Sequence, residues 1–229
     1  MILFFIEISL VIMSKNLIKE IENLKIKLRG EVNKKLEEFK EKFNIRPEQK
    51  FLELCFCILV ANASIEITLP IWRKIFKNFL YLSKYQLAKE LKKLGYRFYN
   101  KRASYIALAR KFIKEIDSIA RNKNDFEARE WLVNNIKGIG WKESSHFLRN
   151  IGYTNFAILD RHVLKVLKER EVINKIPKTL TKKIYLEIEE KLRNIAKSLT
   201  LNLAELDLYL FYLDTEKIPQ KQSLIKKIN

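Results

Sequence analysis

The chain has 229 residues, 48% of them hydrophobic, with 45 Lys and Arg against 27 Asp and Glu, a formal net charge of +18. That length and apolar content allow a buried core in one or two domains and exclude a disordered chain. The charge selects polyanions as partners, nucleic acid first, although a heat-adapted protein can also carry a charge-rich solvated surface.

Only 5 glycines and 4 prolines occur, and they punctuate long stretches of helical periodicity, so an all-α protein is expected. Residues 1–13 are apolar but interrupted by Glu7, and no basic segment precedes them. They fall short of the roughly 20 apolar residues that cross a bilayer, and no signal-peptide cleavage pattern follows. They are read as a loose or artefactual extension ahead of Met13, without a membrane anchor. Leu17 to Phe43 reads as one or two amphipathic helices with a break near Gly30. Pro47 suits a helix start, and Phe51 to Ala61 is the most apolar run, expected to be the most buried helix. Its Cys55 and Cys57 read as core thiols. Two thiols cannot make a four-ligand zinc or iron–sulfur site alone, so neither a metal nor a cofactor is expected.

Thr68 to Tyr81 has the spacing of one amphipathic helix. Ser83 caps a helix over Gln86 to Leu94 that stops at Gly95. The following GYRFYNKR is expected as a loop whose mixed aromatics and cations suit base stacking and phosphate pairing, or equally a connector with snorkelling side chains. Ala103 to Ile119 and Phe126 to Ile136 read as helices. Lys142 to Asn150, Asp160 to Glu169, Pro177 to Lys197 and Asn202 to Asp214 follow, with a frayed basic tail.

The stretch most loaded with meaning is IKGIGWKESSHFLRNIG, from Ile136 to Gly152. Gly138 and Gly140 flank Ile139 in a tight turn between two helices. Such a turn aims backbone N–H groups at an anion, and in a basic protein the anion is a nucleic-acid phosphate. Lys142 stands in the first helical turn after it. Asp160 comes one helix and one apolar segment later, in FAILDRHVLKVLKE. By position alone Lys142 is an exposed lysine at a helix start, and Asp160 a plain N-cap. His146 and His162 read as structural or surface groups, and Trp141 as a packing residue.

Four segments carry a resemblance: LELCFCILVANAS, LGYRFYNKRASYIALAR, NNIKGIGWKESSHFLRNIG with AILDRH, and LAELDLYLFYLDT. Over about residues 50–215 they resemble the helix-hairpin-helix DNA glycosylase superfamily, and within it the type 2 8-oxoguanine DNA glycosylase/AP lyase family. The resemblance implies an all-α fold of two helical subdomains flanking a cleft. One subdomain would comprise residues 45–155, with the helix-hairpin-helix at 126–151. The other would join 14–44 to 156–221, leaving a tail at 222–229. It implies a cytoplasmic, DNA-associated monomer acting on double-stranded DNA that holds 8-oxoguanine or an abasic site, with no membrane partner.

By the same resemblance, Lys142 is the Schiff-base nucleophile and Asp160 its electrostatic and acid–base partner. The backbone of Gly138, Ile139 and Gly140 holds DNA phosphate, and Phe98 and Phe211 sandwich the flipped base. The family usually has Trp at the second aromatic position, so Phe211 is a departure with less stacking area. The family's C-terminal lysine, which helps tell 8-oxoguanine from guanine, falls in register on Gln220, which makes the adjacent Lys221 the candidate. The alternatives are a related glycosylase for another lesion, which keeps both catalytic residues, and a non-catalytic helix-hairpin-helix module that uses the hairpin only for backbone contacts.

Overall fold

The computed structural model describes the backbone of residues 2–122 and 124–218, and side chains at 15–121 and 124–218. Lys221 and the basic tail lie outside these residues. All regular structure among them is helical: α1 (Ile2–Lys40), α2 (Pro47–Val60), α3 (Ile65–Ile75), α4 (Asn78–Tyr81), α5 (Lys84–Lys93), α6 (Tyr99–Ala109), α7 (Ile113–Asn122), α8 (Asp125–Asn135), α9 (Trp141–Asn150), α10 (Arg161–Glu169), α11 (Lys182–Ser198) and α12 (Leu203–Thr215). No helix among the described residues is long and apolar enough to cross a membrane.

The chain divides into two compact units. Among the described residues, one spans Phe39 to Tyr153; the other joins those up to Glu38 to those from Thr154 to Ile218. The first division therefore falls at Phe39, where the resemblance implies residue 45.

The unit beginning at Phe39 is built around α2. Residues 51–61 are all buried, each large apolar side chain contributing about 1.5–3 kcal/mol relative to exposure. The end of this dry helix needs partners for its last carbonyls. Tyr96 donates its hydroxyl to the Leu59 carbonyl and Arg102 its guanidinium to that of Ala61 at 2.5 Å. Cys55 and Cys57 are buried and not joined in a disulfide, and burial pushes the Cys55 thiol well up. Two ion pairs support α2, Lys42 with Glu53 at 3.2 Å and Lys50 with Asp117 at 2.6 Å. Burial lowers the Lys50 amine. Burial also opposes ionisation of Asp117, but its hydrogen bonds to Lys50 and Arg121 prevail and hold it below the ordinary carboxylate range.

The other unit gathers α10, α11 and α12 with the main part of α1. Leu17, Ile21, Leu28 and Val32 place one buried stripe on α1. Lys25 Nζ donates to the Leu199 carbonyl at 2.7 Å, and Arg170 pairs with Glu20 at 2.9 Å.

Several sequence expectations are corrected. The backbone is helical from Ile2, and α1 runs through Gly30 without a break; the buried Leu28 and Val32 on either side outweigh the roughly 1 kcal/mol a helical glycine costs. Thr68 to Tyr81 is two helices rather than one, and Ala103 to Ile119 is divided by a 3-10 turn at Arg110–Phe112. The Arg110 side chain at the start of that turn donates to the carbonyls of Phe79 and Leu82, tying the two interrupted stretches together. GYRFYNKR is a loop only to Phe98, because Tyr99 to Arg102 form the first turn of α6. The helix expected from Pro177 starts at Lys182, where the Thr181 hydroxyl accepts from the Ile184 N–H.

Candidate active site

The hairpin between α8 and α9 follows from its glycines. α8 closes with the Ile136 N–H on the Leu132 carbonyl, and Ile139 N–H then turns back to the Ile136 carbonyl at 3.1 Å. Gly138 sits at φ +88°, and a Cβ there would collide with the ring of Tyr105. The position therefore needs glycine for backbone conformation and for space alike. Gly140 is the N-cap of α9; lacking a side chain, it offers no cap of its own. Glu143 supplies the local bond instead, accepting from the Gly140 N–H at 3.3 Å.

Lys142 occupies the second position of α9, with its side chain 24% exposed and its Nζ 3.4 Å from Glu143 Oε1. Behind it the helix is dry: Ser144, Ser145 and Phe147 are buried. The two serine hydroxyls return to the Trp141 carbonyl at 2.9 and 2.8 Å. Buried Arg129 lays its guanidinium over the Trp141 indole at 4.8 Å and donates to Ser145. Trp141 thus packs against Arg129. His146 is buried edge-on against Phe56 at 6.1 Å, a structural role as expected.

Phe98 is joined to this hairpin by a ladder of side chains. The Arg102 guanidinium lies 5.6 Å from the Phe98 ring and 5.7 Å from the Tyr105 ring. Tyr105 in turn packs on Gly138. Half-buried Phe98 also has the Arg97 guanidinium at 5.0 Å. Sequence reasoning singled out neither Arg102 nor Tyr105 as a site residue; both follow Phe98 within the RFYNKRASY stretch, and only the fold shows what they touch.

Asp160 belongs to the other unit. It is half-buried and caps α10, its Oδ1 accepting from the N–H groups of both His162 and Val163 at 2.9 Å. The segment that delivers it, Phe156 to Leu159, is buried yet has no regular structure. Buried N–H groups need partners, and here side chains provide them. Ala157 N–H donates to Glu189 and Ile158 N–H to Asp207, each at 3.1 Å. The Tyr185 hydroxyl accepts from Leu159 N–H at 3.4 Å and donates to the Ala157 carbonyl at 2.6 Å. Glu189, Asp207 and Tyr185 were not singled out in the sequence, and no local signal marks them.

Phe211 stands in the same unit as Asp160. Its ring meets the edge of His162 at 5.2 Å. His162 Nδ1 lies 2.5 Å from Asp214 Oδ2, and Lys165 pairs with the other oxygen at 2.6 Å. The Lys165 ammonium, then His162, hold the Asp214 carboxyl below its ordinary value. The structure thus groups Gly138, Ile139, Gly140 and Lys142 with Phe98 in one unit, and Asp160 with Phe211 in the other. Lys221 lies outside the described residues.

An all-helical chain that turns on a glycine hairpin and places a lysine in the next helical turn has the architecture of the helix-hairpin-helix proteins. Similarity to known proteins makes this specific. The model of a family described as 8-oxoguanine DNA glycosylase matches residues 32–201. The 8-oxoguanine DNA glycosylase/AP lyase of Methanocaldococcus jannaschii is 50% identical over 203 residues, 88% of this chain and 98% of that protein. Its counterpart in Thermotoga sp. strain RQ2 is 41% identical over 89% of this chain and 99% of its own. A crystal structure of the M. jannaschii 8-oxoguanine glycosylase/lyase with a 15mer DNA containing 8-oxoguanine superposes with a TM-score of 0.86 at 49% identity, covering 89% of this chain and 99% of that one. The 8-oxoguanine DNA glycosylase of Thermotoga maritima gives 0.84 at 40% identity, over 90% and 99%. The chain belongs to the 8-oxoguanine DNA glycosylase family.

Proposed function

We propose that this protein excises 8-oxoguanine from double-stranded DNA and nicks the resulting abasic site, with Lys142 as nucleophile and Asp160 as its electrostatic and acid–base partner. The observation that carries the reading is Lys142: an amine in the first turn of α9, directly after a glycine hairpin, in a chain half identical to a named glycosylase/lyase. The damaged nucleotide must leave the helical stack before a protein group reaches its glycosidic bond. As the C1′–N9 bond breaks, positive charge grows on the sugar and its electron pair leaves with the base. A carboxylate at Asp160 stabilises that charge. The double N-cap fixes the direction of the carboxylate and leaves Oδ2 outside the cap.

The Lys142 amine then forms a bond to C1′, and opening of the sugar ring gives an imine. The imine acidifies the C2′ proton. Its removal expels the 3′-phosphate by β-elimination and nicks the strand. Lysine attacks only as the free amine, so its 3.4 Å contact with Glu143 gives way in the productive state. The hairpin holds the DNA backbone through Gly138, Ile139 and Gly140. Since Gly140 N–H already donates to Glu143 at 3.3 Å, an arriving phosphate replaces a long, weak bond with a charge-assisted one. Phe98 and Phe211 supply stacking faces for the base, and Lys221 is the proposed contact that separates 8-oxoguanine from guanine. The protein acts as a monomer.

Borohydride trapping tests the reading, with wild type and Lys142→Gln on duplexes holding 8-oxoguanine, an abasic site or no lesion. A covalent adduct on the first two, absent in the variant, is expected. An adduct on the abasic duplex alone would move the base specificity to another lesion. No adduct on any duplex, with DNA binding intact, would sink the imine mechanism and leave a monofunctional glycosylase or a binding module.

A further inference from the structure

The face of the Phe39–Tyr153 unit between α5 and α6 carries a groove of about 500 Å³ that the proposed chemistry does not use. Lys84, Tyr85 and Ala88 line it from α5, and Lys101, Ser104 and Tyr105 from α6. Four features bear on its purpose. The lysines are exposed and lie against aromatic rings, Lys84 over Tyr85 at 5.3 Å and Lys101 over Tyr105 at 6.0 Å. Neither amine pairs with a carboxylate among the described residues, so both charges are unspent. Tyr85 is 79% exposed although it stands at the start of a well-packed helix. Tyr105, which forms one wall, is the residue that packs on Gly138, so the groove borders the hairpin through that ring.

We infer that this groove is a second DNA-backbone contact, which holds a strand of the bound duplex beyond the phosphate at the hairpin. The inference rests on the DNA-binding reading of the hairpin. A sugar–phosphate backbone alternates an apolar deoxyribose face with an anionic phosphate. The groove offers the complement: Tyr85, Ala88 and Tyr105 for the sugar, Lys84 and Lys101 for phosphates, and the Ser104 hydroxyl as a neutral donor. Interactions of this kind carry no sequence information; they set orientation and the salt dependence of affinity. A groove that shares a wall with the hairpin couples the two sites, because the ring of Tyr105 serves both.

The test measures equilibrium affinity for an undamaged duplex against salt concentration, for wild type, Lys84→Gln/Lys101→Gln and the control pair Lys74→Gln/Lys77→Gln. The control removes the same charge from exposed positions of the same unit outside the groove. The groove pair is expected to reduce the salt slope by about 2, at roughly 0.9 for each phosphate no longer neutralised, and the control pair by much less. The single-turnover rate on an 8-oxoguanine duplex at saturating protein is expected to stay at the wild-type value. Tyr85→Ser is expected to weaken binding several-fold with no change in slope. Equal losses in both pairs would overturn the inference in favour of a general electrostatic field. An unchanged slope together with altered sedimentation of the free protein would assign the groove to a second copy of the chain. Trapping at Lys142 is read separately, so failure of the groove and failure of the glycosylase reading remain distinguishable.

Discussion

Lys142 and Asp160 are held in opposite ways. Around Lys142 most bonds are local, Ile139 to Ile136, Gly140 to Glu143, and Ser144 and Ser145 to Trp141, with Arg129 reaching Ser145 from 16 positions away. Around Asp160 the supports of the preceding segment come from residues 26 to 49 positions away in the chain. A hairpin of the first kind is closed by turn chemistry, and Tyr105 and Arg129 then pack against it from α6 and α8. A buried irregular segment of the second kind exists only once α11 and α12 have presented Glu189, Tyr185 and Asp207 to it. Substitutions near Lys142 should therefore act on function with small effects on stability. Substitutions that support Asp160 should act on stability first.

Asp160→Asn gives the largest effect expected outside Lys142 itself. It removes the charge but retains an oxygen able to cap α10, so single-turnover excision should fall by about 10²–10³-fold while the melting temperature stays near wild type. Asp160→Ala loses the cap as well and should cost about 1 kcal/mol more in stability. If the Asn variant lost as much stability as the Ala variant, the separation of charge from capping would fail.

Asp207→Ala probes the remote support. It strips the acceptor from the buried Ile158 N–H and should lower unfolding stability by about 1–3 kcal/mol or more, read from the urea midpoint. Glu143→Ala is the matching change at the hairpin. Loss of its bond to Gly140 N–H should cost only about 0.5–1 kcal/mol, and loss of its charge should tighten duplex binding at low salt. Equal destabilisation in these two variants would erase the contrast between the sites.

The smallest effect concerns acid stability. Lys165 and His162 hold Asp214 below its ordinary value, so its contribution is complete above the unfolded pKa of about 4 and is lost as pH falls through the lower folded value. Asp214→Asn should accordingly show a shallower loss of stability below about pH 4 than wild type, by thermal unfolding across an acid series.

Elements written in neighbouring residues were legible in the chain. Pro47 opens α2, the Ser83 and Gln86 side chains box the start of α5, Gly95 ends that region at φ +74°, and the glycine hairpin leads into α9. Each depends on interactions a few positions apart, and such spacing is visible in a sequence. The apolar run at 51–61 declared its own burial in the same way.

What the tertiary structure alone decided has distant partners. Arg110 ties two interrupted helical stretches together because its side chain reaches the carbonyls of Phe79 and Leu82. Gly30 does not break α1 because Leu28 and Val32 are buried beside it. Tyr105 makes Gly138 obligatory from another helix, and Asp207 and Glu189, in sequence ordinary acidic residues on helices, hold the segment that presents Asp160. A buried N–H donates to whichever oxygen the fold brings within reach. Periodicity records which residues face the core, but the choice of partner is made only when the helices pack.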